Sequence, residues 1–223
     1  MKPIKATTQD TDALVELGRA SVQIVHDLKN QVNGLKLYAT FLRKRMERSE
    51  RPQDELETIN KIMAGLERAA ADMNTLVRFG RPLELQRQPR LDLSALLAAA
   101  TEGDFDAPQA DAGGAYQGDF DAPLLSDALK SIHAGARQLA PKDGTPVIDL
   151  RREEIEATAG AAPVALIEWR GLKAAAAGDD DIFNGFNGGA GLRFALAAKV
   201  IKAHGGAVEQ VADALRVRLP LRK

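Results

Sequence analysis

The sequence predicts an α+β protein in which a helical hairpin precedes an α/β sandwich. Two long runs of apolar residues at helical spacing fill the first third, each ended by a proline or glycine break. From residue 83 onward, helical runs alternate with short β-branched ones, the pattern of helices packed on a sheet. A chain of 223 residues has room for two domains with cores of their own.

The first helix is read from Asp10 to about Glu50, where Leu14, Leu17, Ile24, Leu28, Val32, Leu35 and Leu42 recur in threes and fours. Ser49-Glu50-Arg51-Pro52-Gln53 breaks it. The second runs from about Asp54 to Phe79, with Leu56, Ile59, Ile62, Met63, Leu66, Met73, Leu76 and Val77 on its apolar side, and stops at Gly80-Arg81-Pro82. A two-helix hairpin cannot bury such stripes alone, so two copies are expected to pair into a dimeric four-helix bundle. Next, Leu83 to Arg90 reads as extended, Asp92-Leu93-Ser94 as the cap of an alanine-rich helix, and Glu102 to Gly118 as turn-rich. The hexapeptide Gly-Asp-Phe-Asp-Ala-Pro stands at 103–108 and again at 118–123, too short a repetition to define a repeat architecture. Leu124 to Leu139 and Leu192 to Ala203 are helical; Pro146 to Arg151, Val164 to Trp169 and Ala214 to Pro220 are strand-like.

Composition narrows the function. Acids and bases nearly cancel, at a formal net charge of -1, which gives no field strong enough to grip nucleic acid or an anionic membrane. Cysteine is absent, excluding disulfides and thiolate metal sites and fitting a reducing compartment. The start Met1-Lys2-Pro3-Ile4 lacks an apolar signal core, and no run is long and uncharged enough to span a bilayer, so a cytoplasmic protein is expected.

One histidine stands off the apolar stripe. At about 100° per residue, His26 points roughly 160° from the stripe centre at Leu28 and Leu35, on the side of Arg19, Gln23, Asn30 and Asn33. An imidazole in water titrates near neutrality, so its nucleophilic neutral form is abundant. The adjacent Asp27 can hold the ring in one tautomer, leaving the other nitrogen to attack phosphorus.

The run His26-Asp27-Leu28-Lys29-Asn30 resembles the phosphoacceptor box of sensor histidine kinases. The resemblance covers the hairpin at 10–80 and resumes near the C-terminus. There Asp181-Ile182-Phe183-Asn184-Gly185-Phe186, Gly189-Ala190-Gly191-Leu192 and Ala203-His204-Gly205-Gly206 look like the phenylalanine box, glycine box and closing helix of the kinase ATP-binding domain. It implies a dimerisation and phosphoacceptor hairpin over 1–82 and an ATP-binding-like sandwich over 83–223. It further implies His26 as the phosphorylated residue, Asp27 as its orienting base, and Asn30 as the group positioning the phosphate, or the water in the reverse reaction.

The nucleotide motifs depart from the family. Its ATP-binding helix carries an asparagine that coordinates magnesium; here Gly135 stands at the expected place and Ser131 at the earlier one. Its adenine-reading aspartate is replaced by Trp169 if Gly171 is the retained glycine, with Glu168 offered by a one-residue slip. Arg193 stands where a glycine lets the helix start approach phosphate. An intact histidine box on a degenerate kinase frame resembles the dimeric histidine phosphotransferases of bacterial phosphorelays. That resemblance implies a homodimer that exchanges phosphate with response-regulator receiver domains, a hybrid histidine kinase being a further partner. No cofactor is expected on this chain, since the receiver holds the Mg2+ for the transfer. Two readings stand beside it: a diverged kinase in which Arg193 or Lys199 compensates, and a non-catalytic dimeric regulator that blocks a receiver or kinase. Asn33 and Arg43 are candidates for partner specificity. His133 and His204 have no ligand partners at useful spacing, and Asp179-Asp180-Asp181 reads as a solvated loop.

Overall fold

The computed structural model describes residues 8–47, 53–102, 116–142, 144–157, 160–173, 182–183 and 188–222; within the first helix, side chains are described for Val25 and from Asp27 onward. The break at 48–52, the first hexapeptide copy, the acidic run 179–181 and residues 184–187 lie outside the described residues. The chain divides into two compact units, Met1–Pro82 and Leu83–Lys223.

The first unit is a pair of helices, α1 (Thr8–Met46) and α2 (Gln53–Gly80). Ala39 and Ile59 are buried between them, and Lys36 Nζ meets Glu67 Oε1 at 3.0 Å, which fixes their antiparallel register. The apolar stripe read from the sequence is divided. Val32 is half-buried, whereas Leu28, Leu35 and Leu42 are exposed in the single chain, Leu35 by 55%. The reason is geometric: one neighbouring helix covers about a third of a helix circumference, and the stripe is wider than that.

The second unit begins with β1 (Gln88–Asp92), α3 (Leu93–Ala100), β2 (Gln117–Phe120) and α4 (Ala122–Leu139). It continues through β3 (Val147–Ala157), β4 (Gly160–Arg170), α5 (Gly188–Ala203), β5 (Ala207–Val211) and β6 (Ala214–Pro220). β1 and β2 form a two-stranded ladder; the main sheet runs β3-β4-β6-β5, antiparallel throughout. The short strands β2 and β5 were not expected from the sequence. Asp92 caps α3 as expected, its carboxylate accepting from Ser94 N–H. The second hexapeptide copy has a structural job: Phe120 is buried at the end of β2, and Asp121 caps α4 by accepting from Leu124 N–H.

Side chains alternate along the strands, so the register sorts the sheet into two faces. On the inner face Ile148, Trp169 and Leu215 share a row, as do Leu150, Ile167 and Val217. These pack with Leu93, Leu97, Leu125, Leu129, Ile132 and Ile201 of the three helices into one core. The outer face has another cover. Glu168 meets Arg151 at 2.9 Å and Arg216 at 2.5 Å; Arg151 reaches Glu153 at 4.0 Å; Arg218 reaches Glu153 at 3.9 Å and Glu209 at 2.7 Å; Arg216 reaches Glu209 at 3.9 Å. Three arginines and three glutamates thus close a ring around Leu166, which pairs between Arg151 and Arg218 and is fully buried. Arg170 joins the ring through Glu168 and pairs with Asp149.

α5 ends in a glycine motif. Gly205 adopts φ +81° and donates to Lys202 C=O, and Gly206 N–H donates to Ile201 C=O, satisfying the last carbonyls of the helix. His204 is buried beside this end. Its Nε2 accepts from Asp121 N–H at 3.0 Å, so the proton sits on Nδ1, which donates to Val200 C=O at 2.8 Å. Asp121 Oδ2 also accepts from Gln86 N–H, and Arg87 donates to Ala203 C=O, so one node ties the entry strand, α4 and α5 together.

Burial, foremost, holds the His204 imidazole below its ordinary value, with Arg87 acting in the same direction and the Val200 carbonyl and Asp121 opposing. The unfolded chain takes up this proton first as pH falls, so stability drops as pH moves down through the ordinary histidine range towards the lowered value. Urea unfolding at pH 7.5 and 5.5 should show this loss, and His204→Phe should remove the part of the slope due to this residue. Glu168→Gln removes the charge shared by three guanidinium groups, sets an amide N–H2 against them, and should cost about 2–3 kcal/mol, against a buried-pair loss of roughly 3–5 kcal/mol, because the arginines keep contact with water.

Candidate functional site

His26 lies in the middle of α1, and its side chain is outside those described. Its helical position is set by the backbone. Counting about 100° per residue from the buried Ala39, His26, Asn30, Asn33, Leu37 and Phe41 make one row centred about 160° from it, on the flank turned away from α2. Leu28, Leu35 and Leu42 make a row on the opposite flank, with Tyr38 beside it. On α2, counted from the buried Ile59, the exposed Ile62 and Leu76 fall on the leucine flank and Glu67 on the histidine flank. The Lys36–Glu67 bridge identifies which flanks correspond across the two helices.

Both flanks expose apolar groups, but in different amounts and company. The leucine flank presents Leu28, Leu35, Leu42, Tyr38, Ile62 and Leu76, a continuous apolar surface shared by both helices. The histidine flank is polar at His26, Asn30 and Asn33 and becomes apolar about three to four turns from His26, at Leu37 and at Phe41, which is 60% exposed. Asp27 and Asn30 are both exposed. Arg43 is half-buried, with its guanidinium 3.5 Å from Glu47.

The positions expected to hold a nucleotide are occupied by protein. Gly135 lies on the buried face of α4, and a Cβ built there would fall inside the ring of Phe194 on α5. Phe194 is itself held edge-on by Phe183, at 5.5 Å between ring centroids. An asparagine amide at 135 would need the volume that this ring fills. Trp169 is fully buried on the inner face, within the core. Glu168 is one residue away and therefore on the other face, engaged by its arginines, so the one-residue slip brings no carboxylate to the helices. These residues do not fit magnesium-bound ATP held in the manner of the kinases. Arg193 and Lys199 are half-buried on α5, and burial lowers the ammonium pKa of Lys199. The glycine run begins α5 at Gly188 instead of forming a loop before Leu192.

His133 is buried on α4, and His204 belongs to the node at the end of α5. Among the described residues, no group of three or more acidic or histidine side chains could hold a metal ion, and no helix is long and apolar enough to cross a membrane. The sequence left Phe194, Leu37 and Phe41 unremarked. Leu37 and Phe41 carried a signal, being apolar at i+11 and i+15 from His26; the fit of Phe194 to Gly135 carried none.

Among solved structures, the chain is similar to a mycobacterial sensor histidine kinase, MprB, at 17% identity and a TM-score of 0.43, over 61% of this chain and 98% of that one. It is also similar to a bacterial phosphotransferase at 12% identity and a TM-score of 0.33, over 98% of this chain and 99% of that one. No protein-family model matches the sequence, and no curated protein matches it. At these scores neither likeness bears on the role of any residue, and the functional assignment rests on the chain's own side chains.

The contact between Gly135 and Phe194 makes a direct expectation. Gly135→Ala should lower unfolding free energy by about 1–3 kcal/mol, the usual cost of overpacking. The loss should shrink when the same change is made in a Phe194→Leu background, as measured by a double-mutant cycle in urea.

Proposed function

We propose that the chain is a histidine phosphotransferase of a two-component phosphorelay, a homodimer that carries phosphate on His26 to and from receiver aspartates without using ATP. The observation that carries the reading is the division of the hairpin into two flanks. The exposed apolar leucine flank suits a second copy, and the row that begins at His26 uses different side chains, so the two roles do not compete. Pairing through Leu28, Leu35, Leu42, Ile62 and Leu76 buries the leucine flank in a four-helix bundle and leaves the His26 row outward. A receiver then docks along that row, with Leu37 and Phe41 as its apolar footing and Asn33 within its reach.

The chemistry is balanced by the two partners. A ring nitrogen of neutral His26 attacks the phosphorus of the receiver's aspartyl phosphate; the P–N bond forms as the P–O bond breaks, and the electron pair returns to the aspartate. The Mg2+ held by the receiver neutralises charge on the transferring group. Asp27 holds the proton on the other ring nitrogen, and Asn30 orients the phosphoryl oxygens. The filling of the nucleotide positions by Phe194 and Trp169 supports phosphate entering from a receiver and not from ATP.

The test incubates the purified chain with a panel of receivers phosphorylated by acetyl phosphate, and separately with Mg-ATP. Acid-labile, base-stable label should appear from at least one receiver, vanish in His26→Ala, and be absent with ATP; the variant should keep the wild-type dimer mass. Labelling by ATP that depends on His26 would make the chain a kinase. Partner inhibition that survives His26→Ala would make it a non-catalytic regulator.

A further inference from the structure

We infer that Arg78, on the second helix of the hairpin, is the cation that binds the phosphoryl group of phosphorylated His26; the role rests on the phosphotransferase reading above. The Lys36–Glu67 bridge sets the two helices in register. His26 stands ten residues before Lys36, about 15 Å along α1, and Arg78 stands eleven residues after Glu67, about 16 Å along α2 in the same direction. The two positions are therefore level. Both lie on the Lys36–Glu67 side of the hairpin, His26 about 140° and Arg78 about 100° from the helix–helix contact. Going from Lys36 to His26 turns about 80° away from the helix–helix contact, and going from Glu67 to Arg78 turns about 20° away from it, to the same side.

Arg78 is exposed and lies in the last turn of α2. An arginine there spans much of the usual interaxial separation of about 8–10 Å and presents a planar fork of N–H donors matched to phosphate oxygens. Among the described residues, Lys36 and Lys29 are placed less well. Lys36 stands about two to three turns from His26 along α1. Lys29 lies one turn from His26 but is half-buried towards the helix contact, and an ammonium gives no bidentate geometry. A phosphohistidine carries close to two negative charges that His26, Asn30 and Asn33 cannot balance, so a guanidinium level with it lowers the free energy of the phosphorylated state.

The test uses the full chain and phosphoramidate, which needs no receiver: the imidazole nitrogen forms the P–N bond and ammonia leaves. Phosphohistidine is followed by 31P NMR, giving both its rate of formation and the pH at which its phosphoryl group takes up a proton. Arg78→Ala should slow formation at His26 about fivefold, the scale of one exposed ion pair, and move that protonation to higher pH. Arg78→Lys should recover part of both changes, and Lys29→Ala should leave both near wild type. A wild-type rate and wild-type protonation midpoint in Arg78→Ala overturn the inference while leaving His26 as phosphoacceptor. The same effects in Lys29→Ala and not in Arg78→Ala assign the role to Lys29. A phosphohistidine signal undiminished by His26→Ala, or none at all from wild type, takes down the phosphotransferase reading together with this one.

Discussion

The sheet domain depends on one strand being dry on both sides. From Val164 to Trp169, every residue of β4 is buried. Helices reach only the inner face, where Ala165, Ile167 and Trp169 enter the core. Among the described residues of this domain no helix packs on the outer face, and the alternating ring of arginines and glutamates takes that place. Their aliphatic stems shield Val164 and Leu166 while the heads satisfy one another at the water boundary. A single acid, Glu168, is 3% exposed, far more deeply buried than the arginines that surround it. This arrangement explains how the outer face of β4 stays dry without a described helix against it.

The hairpin solves a different problem. On the proposed reading it must hold a partner permanently and meet another one briefly. Separating the leucine flank from the His26 row allows both, because the large apolar surface needed for lasting association is kept away from the polar surface needed for reversible contact. Under that proposal the polar head and apolar foot of the His26 row follow the same logic on a smaller scale: chemistry near the imidazole, footing below it. The helices supply a rigid backbone on which these rows are set by spacing alone.

Much of this was legible in the amino-acid sequence. The spacing of Leu56, Ile59, Leu66 and Val77 marked α2 to within about a residue, Asp92 announced the start of α3, and the run Ala214–Pro220 is the strand itself. The α+β class followed from those patterns. What stayed hidden needed the third dimension. β2 is four residues long after a glycine-rich stretch, and β5 follows two helix-ending glycines, so neither shows enough alternation to be read. The leucines on α1 were legible as apolar but not as left uncovered by α2, because the pattern does not say how many neighbours a helix has. His26, Asp27 and Asn30 were legible as a box. The level of Arg78 was not, since it depends on a register that only the Lys36–Glu67 pair reveals.

The packing of Phe194 onto Gly135 also constrains how this chain can change over generations. An asparagine at 135 is crowded out while the phenylalanine remains, and a smaller residue at 194 leaves a hole while the glycine remains. An acid at 169 would replace a fully buried indole in the core. Each step towards a working nucleotide site is therefore less stable than the present sequence, and no one of them alone delivers any benefit. The chain sits in a mutational valley with raised walls, where drift preserves the filled core at these two positions.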